Sequence, residues 1–263
     1  MAWRNVWGLT NLVAAANQGL YNGALRTTAP ADDLATPQGH GYAQVSISKS
    51  GAANWTGKAS DGSPMTFSTV LAEDNSIPLH MMLYGNTGSL QGVAKIDFQT
   101  GDINEHAEHV LDWWKVPQPL VSKDRLYKGG FMTTLEMKGG RYTPNDLHGF
   151  LGLLGSPASM ALSFAQSPTE TFEQLFTLMD PNGVTVPPNN KSLSLNIDPK
   201  TGTFSGSYKE GSPTLTVIYA GILFNHQAGS ERKGLGHFLK AESSSTTSKI
   251  WSAPVVLDEV GPQ

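Results

Sequence analysis

The chain has 263 residues and a formal charge of −4, from 18 Lys and Arg against 22 Asp and Glu, so no strong positive field draws nucleic acid. It contains no cysteine, which excludes disulfides, thiolate metal sites and cysteine nucleophiles. Charged residues make up 15%, while 28 glycines and 16 prolines punctuate short apolar runs, a balance that favours an all-β fold with many tight turns.

Residues 1–16 carry one Arg and an interrupted apolar core, and so read poorly as a signal peptide. The Ala-rich stretch 11–18 suggests a short helical turn, and 19–25 a first strand. Residues 26–39 read as a surface loop. From 42 to 48, Val45 and Ile47 face one way while Gln44, Ser46 and Ser48 face the other, the period-two pattern of a half-buried strand. A strand carrying Trp55 follows, then the turn Asp61-Gly62-Ser63-Pro64. Strands are expected at 65–71, 79–84 and 90–98, the last two joined by the hairpin signal Gly85-Asn86-Thr87-Gly88. Residues 105–114 read as a short helix or a long loop, and 116–120 (VPQPL) as a crossing between modules.

Further on, 158–166 and 172–179 are candidate strands. The second also fits a helix capped by Thr169, with Phe172, Leu175, Phe176 and Met179 on one face. No apolar run reaches the ~18–20 residues of a membrane helix; the longest, 150–165, is broken by Gly152, Gly155 and Pro157. An outer-membrane barrel would need an unbroken outward apolar band, which Thr, Ser and Asn interrupt. The most regular stretch is 193–217. There Leu193, Leu195 and Ile197 alternate with polar residues, Asp198-Pro199-Lys200-Thr201-Gly202 turns the chain, and strands follow at 203–208 and 215–223. A Ser/Thr loop at 243–248 precedes a final strand at 249–257.

Val45-x-Ile47, Gly51, Trp55, Gly57 and Asp61-Gly62-Ser63-Pro64 parallel Leu195-x-Ile197, Gly202, Phe204, Gly206 and Glu210-Gly211-Ser212-Pro213. Gly19-x-Tyr21 is echoed by Gly140-x-Tyr142, and Gly88-x-x-x-Gly92 by Gly234-x-Gly236. The common order favours a duplicated module. The expected fold is therefore all-β: two related antiparallel β-meander modules, 1–125 and 126–263, forming small barrels or one pseudo-twofold barrel or sandwich.

Few motifs carry chemistry. Ser46-x-x-Lys49, Tyr84-x-Asn86 and Lys200-Thr201-Gly202 follow the order used by serine β-lactamases. That chemistry needs Ser and Lys one helical turn apart, and here the Ser sits in a strand. No nucleophile elbow, phosphate-cradling loop or cofactor fingerprint is present, and no cofactor is expected. Glu105, His106, His109 and Asp112, with Glu108, form the densest set of metal-ligating residue types. On a helix they would reach a shared Zn²⁺ or act as an acid–base pair; otherwise they are a solvated face. Aromatic rings offer a second reading. Trp113, Trp114 and Tyr84 could stack on sugar faces, and because adjacent residues are hard to bury together, one of the two tryptophans is expected at the surface.

From Gly39 onward, the strand and turn motifs through Phe98 resemble a poorly characterised β-rich module of large secreted bacterial surface proteins, often found beside immunoglobulin-like domains. Pro199-x-Thr201-Gly202-x-Phe204-Ser205-Gly206-Ser207 and Gly234-x-Gly236-x-Phe238-Leu239 are similar to its closing half, while 125–155 departs from it. The resemblance implies a β fold and an exported, extracellular or cell-surface location. The expected function is a non-catalytic extracellular binding or structural module contacting a glycan or other extracellular ligand, with no nucleic-acid partner and no membrane span. The alternative is a hydrolase built around residues 105–112.

Overall fold

The computed structural model describes residues 4–8, 10–31, 33–105, 110–119, 121–167, 170–211 and 214–260, apart from the side chains of 105, 166 and 167. Its strands fall into two antiparallel sheets. The first holds β1 (Gly19–Thr27), β2 (His40–Ile47), β3 (Ala52–Lys58), β4 (Pro64–Val70), β5 (Ser76–Leu83), β6 (Gly88–Asp97), β7 (Asp102–Glu105), β8 (Leu111–Lys115) and β9 (Phe131–Tyr142). After the helix α1 (Leu147–Leu151), the second sheet holds β10 (Ala158–Ser167), β11 (Glu170–Met179), β12 (Gly183–Thr185), β13 (Ser194–Ile197), β14 (Thr203–Glu210), β15 (Leu215–His226), β16 (Glu231–Ala241) and β17 (Ile250–Glu259). The chain is thus all-β, as composition and turn chemistry predict.

The first sheet is an up-and-down meander. β9 returns to pair with β1, and β4 lies beside β5 without a ladder, so the sheet closes into a nearly complete barrel. β7 and β8 run in the same direction between β6 and β9, one after the other in a single slot. The helix or loop expected over 105–114 is thus strand on both sides of 106–110. In the second sheet β10 pairs with β17, while β12 and β13 are its free edges.

One strand has no counterpart among the expected elements, and one ambiguity is resolved in favour of a strand. In β9, Leu135 and Met137 point inward while Met132, Thr134 and Glu136 point outward, and the strand runs on through Gly139-Gly140. These glycines sit in the strand because other backbones press on it: a Cβ would meet the Asn22 carbonyl at Gly139 and the Asn225 carbonyl at Gly140. β9 lies beyond residue 125 and still completes the first sheet. In β11 the helical grouping is divided. Phe172 and Phe176 turn inward against β10, with Phe172 opposite Phe164, whereas Leu175 and Met179 are exposed on the outer side. Of the proposed copies, Val45 and Trp55 lie on the adjacent strands β2 and β3, and Leu195 and Phe204 on the adjacent strands β13 and β14, but Gly19 and Tyr21 share a sheet with β2 whereas Gly140 and Tyr142, on β9, do not share one with β13. Ser212 and Pro213 lie outside the described residues.

Each sheet has its own core. Tyr21, Leu25, Val45, Trp55, Ile77, Leu90 and Trp113 fill the first, and Leu162, Phe164, Tyr208, Tyr219, Phe238 and Val255 the second. β15 crosses the first sheet over β1, β2 and β9. At that junction Asn22, fully buried, donates to the Thr201 and Leu223 carbonyls (2.9 Å each) and accepts from Gln44 Nε2 (3.0 Å). Each such bond contributes about 0.5–1.5 kcal/mol net, and leaving a buried partner unsatisfied costs more.

Candidate functional site

Residues 111–115 alternate, as a strand must. Leu111, Trp113 and Lys115 face the barrel interior; Asp112 and Trp114 face out and are half-buried. The two adjacent tryptophans therefore have opposite fates.

Trp113 is 1% exposed and its Nε1–H donates to Tyr84 Oη (3.1 Å). Tyr84 Oη in turn donates to Asp61 Oδ2 (2.7 Å), a carboxylate in the β3–β4 turn with no exposure. Burial first, and the Asp61 charge second, push the Tyr84 phenol far above the ordinary tyrosine range, so it remains a neutral donor. Tyr84 holds φ +55° at the start of the β5–β6 turn, and Gly88 opposite has no Cβ to collide with its ring. Lys115 lies 4.7 Å from the Tyr84 ring centroid and pairs with Asp124 (2.6 Å) and the Leu126 carbonyl. This network ties two turns and the segment after β8 together at one end of the barrel. It removes Trp113 from any surface platform, while Tyr84 is half-buried with its hydroxyl committed to Asp61.

Trp114 is different. On the outer face the ladders align it with Ser89 on β6 and Met132 on β9, and Ser89 with Met82 on β5. The next row is polar: His80 on β5, Gln91 on β6, Asp112 on β8 and Thr134 on β9. Met82 and Met132 are 46% and 85% exposed. Trp114, Met82 and Met132 thus form an apolar row, with the small Ser89 buried between Met82 and Trp114, beside a row of hydrogen-bonding side chains.

Of the metal-type residues, Asp112 belongs to this polar row. His106, Glu108 and His109 lie outside the described residues, as does the Glu105 side chain. The helical register that would have gathered them does not form at 102–105 or 111–115. Among the described residues no group of three or more His, Asp or Glu side chains is placed to hold a metal ion.

Sequence reasoning missed a second feature, a cleft of about 530 Å³ where the sheets meet. Its lining comes from the β6–β7 turn, the end of β9, α1 and the β15–β16 loop. Asp102, 2% exposed, holds that loop by accepting from the backbone N–H groups of Gln227 (2.7 Å) and Ala228 (2.9 Å). His226 Nδ1 accepts from Gly229 N–H (3.0 Å), so its Nε2–H donates to Asn104 Oδ1 (2.7 Å). No local motif announces the cleft, because its walls come from stretches as far apart in the chain as Ala16 and Arg232.

No family model and no curated protein matches the chain. A solved structure of a protein of unknown function from the DUF3598 family of Nostoc punctiforme is 10% identical, with 93% of this chain and 97% of that chain covered and a TM-score of 0.24, a likeness too weak to bear on fold or function.

Proposed function

We propose that this chain is a non-catalytic binding module that contacts carbohydrate through the outer face of β5, β6, β8 and β9. The observation that carries the reading is the pairing of rows around Trp114. An indole with Met82 and Met132 offers the apolar surface on which a sugar ring's C–H face stacks. His80, Gln91, Asp112 and Thr134 stand one row away, within reach of the ring's hydroxyls. We place the module outside the cell or at its surface, on the resemblance of its strand and turn motifs to secreted bacterial modules. The hydrolase alternative draws no support from Asp112, whose neighbours on the outer face are Gln91 and Thr134.

The test is a panel of neutral and acidic oligosaccharides, screened with the wild-type chain and Trp114→Ala. Binding of at least one glycan that Trp114→Ala abolishes is expected. A panel without binders, or binders indifferent to Trp114→Ala, would remove the proposal.

A further inference from the structure

We propose that the cleft between the two sheets is a separate site for a small hydroxylated oxyanion, a sugar acid or sugar phosphate in size. This site does not depend on the Trp114 face, and no residue is shared between them.

The chemistry of the lining points there. Arg141, at the end of β9, and Arg232, near the start of β16, both line the cleft, and the only carboxylate among the lining residues is that of Asp146. Asp146 is already engaged, accepting from Gly149 N–H (2.7 Å) as the cap of α1. Arg141 gives one Nη2 hydrogen bond to the Gln18 carbonyl (3.0 Å), which fixes its side chain and leaves other N–H groups of the fork free to bind. Arg232 packs its guanidinium over Gly152, where a Cβ would not fit, and makes no ion pair or side-chain hydrogen bond among the described residues. Two guanidiniums against the one carboxylate of Asp146 leave the lining with a net positive charge, and their planar forks match carboxylate and phosphate oxygens.

Donors and acceptors for the rest of a ligand come from Thr100, Asn225 and Gln227. The backbone that carries the last two is fixed, Asn225 by its pairing with Arg232 across β15 and β16 and Gln227 by its N–H bond to Asp102. A volume of about 530 Å³ falls within the ~300–1,000 Å³ of small-molecule pockets. An inorganic ion would leave most of that space empty, which favours an anion carrying a hydroxylated body.

The experiment is calorimetric titration of the intact chain with glucose 6-phosphate, gluconate and glucose. At least one of the two anions should bind saturably, more weakly as salt rises, while glucose does not bind at this site. The tighter anion identifies whether the natural group is a phosphate or a carboxylate. Arg232→Gln should weaken that binding about tenfold or more, Arg232→Lys by less, and Trp114→Ala not at all. Arg232 is exposed, so these variants should melt like the wild type; Arg141→Gln provides a second, independent loss of the same binding. Failure of both anions to bind, glucose binding as well as they do, or undiminished binding in both Arg→Gln variants would overturn the proposal. Because Trp114→Ala and Arg232→Gln act on different ligands, failure of either proposal leaves the other standing.

Discussion

The two sheets solve the same problem differently. In the first, β4 meets β5 and the barrel nearly closes, with the Asp61–Tyr84–Trp113 chain of hydrogen bonds binding its turns together at one end. The second stays open between β12 and β13, short edges of three and four residues. Its interior depends instead on ring contacts. Phe164 lies 4.9–5.9 Å, centroid to centroid, from Phe172, Tyr208, Tyr219 and Phe238. The row that carries Trp114 runs over the β5, β6, β8 and β9 ladders on the outside of the first sheet. The first sheet resolves its edges by closing, and the second by keeping its edge strands short.

The largest effects should separate the two cores. Phe164→Ala and Trp113→Ala should each cost about 3–5 kcal/mol, since each removes a large, fully buried ring. Native-state hydrogen exchange should place the first loss mainly in β10–β17 and the second mainly in β1–β9. Equal loss of protection in both sheets from either variant would break the distinction.

Next comes the junction. Asn22→Ala strips the side-chain donor from the Leu223 carbonyl and the acceptor from Gln44, which still donates to the Thr201 carbonyl (2.9 Å), and a loss of about 2–3 kcal/mol is expected, spread over both sheets. A loss confined to the first sheet in urea unfolding would mean that the junction does not couple them.

The junction should also respond to pH. His237, on β16, is 2% exposed, stacks near Tyr42 and donates from Nδ1 to the His40 carbonyl (3.0 Å). Burial lowers its pKa to about 4, with Lys58 adding to the effect and the His40 bond opposing it. Burial also lowers that of His40 to about 3, helped by Arg26, His237 and Lys233. Both are neutral in the folded chain, so between these values and the ordinary 6.5 the unfolded chain binds more protons. Stability from this pair is present above about pH 6.5 and is lost as pH falls towards about 4. Unfolding midpoints measured down that range should drop, and His237→Gln should flatten the slope; a slope unchanged by that substitution would sink the assignment.

The smallest effects belong to the outward residues. Leu175→Ser on β11 and Ile218→Thr on β15 should change stability by about 0.5 kcal/mol or less, because both side chains are more than half exposed. A large loss in thermal melts would mean that the outer face of the second sheet is covered.

Much of this fold was legible because antiparallel sheets write their alternation into the chain. Val45 with Ile47 and the run from Leu193 to Ile197 announce their strands, and the turns at 61–63 and 198–202 fall where glycine and proline put them. What was missed or left open has a common cause. The strand through Gly139 and Gly140 is fixed by the Asn22 and Asn225 backbones pressing against those glycines, and that pressure comes from residues distant in sequence. Likewise Phe172, Leu175, Phe176 and Met179 fit a helical face, and only the Phe164 ring opposite Phe172 decides for a strand. At the candidate site, the sequence supplied the pair Trp113 and Trp114 and the expectation that one would be outward. It did not say which, because strand phase depends on the β6 and β9 ladders. Met82, Gln91 and Thr134 reach Trp114 only through cross-strand register, and the cleft walls only through tertiary packing.

Calorimetric titration of the best glycan from the panel into the wild type and Trp114→Ala tests the central claim most directly. The outward face of the first barrel predicts a loss of about 2 kcal/mol, roughly thirtyfold in Kd, with the melting curve little changed. An identical Kd in both proteins would contradict it and leave the face a solvent-exposed wall of the barrel.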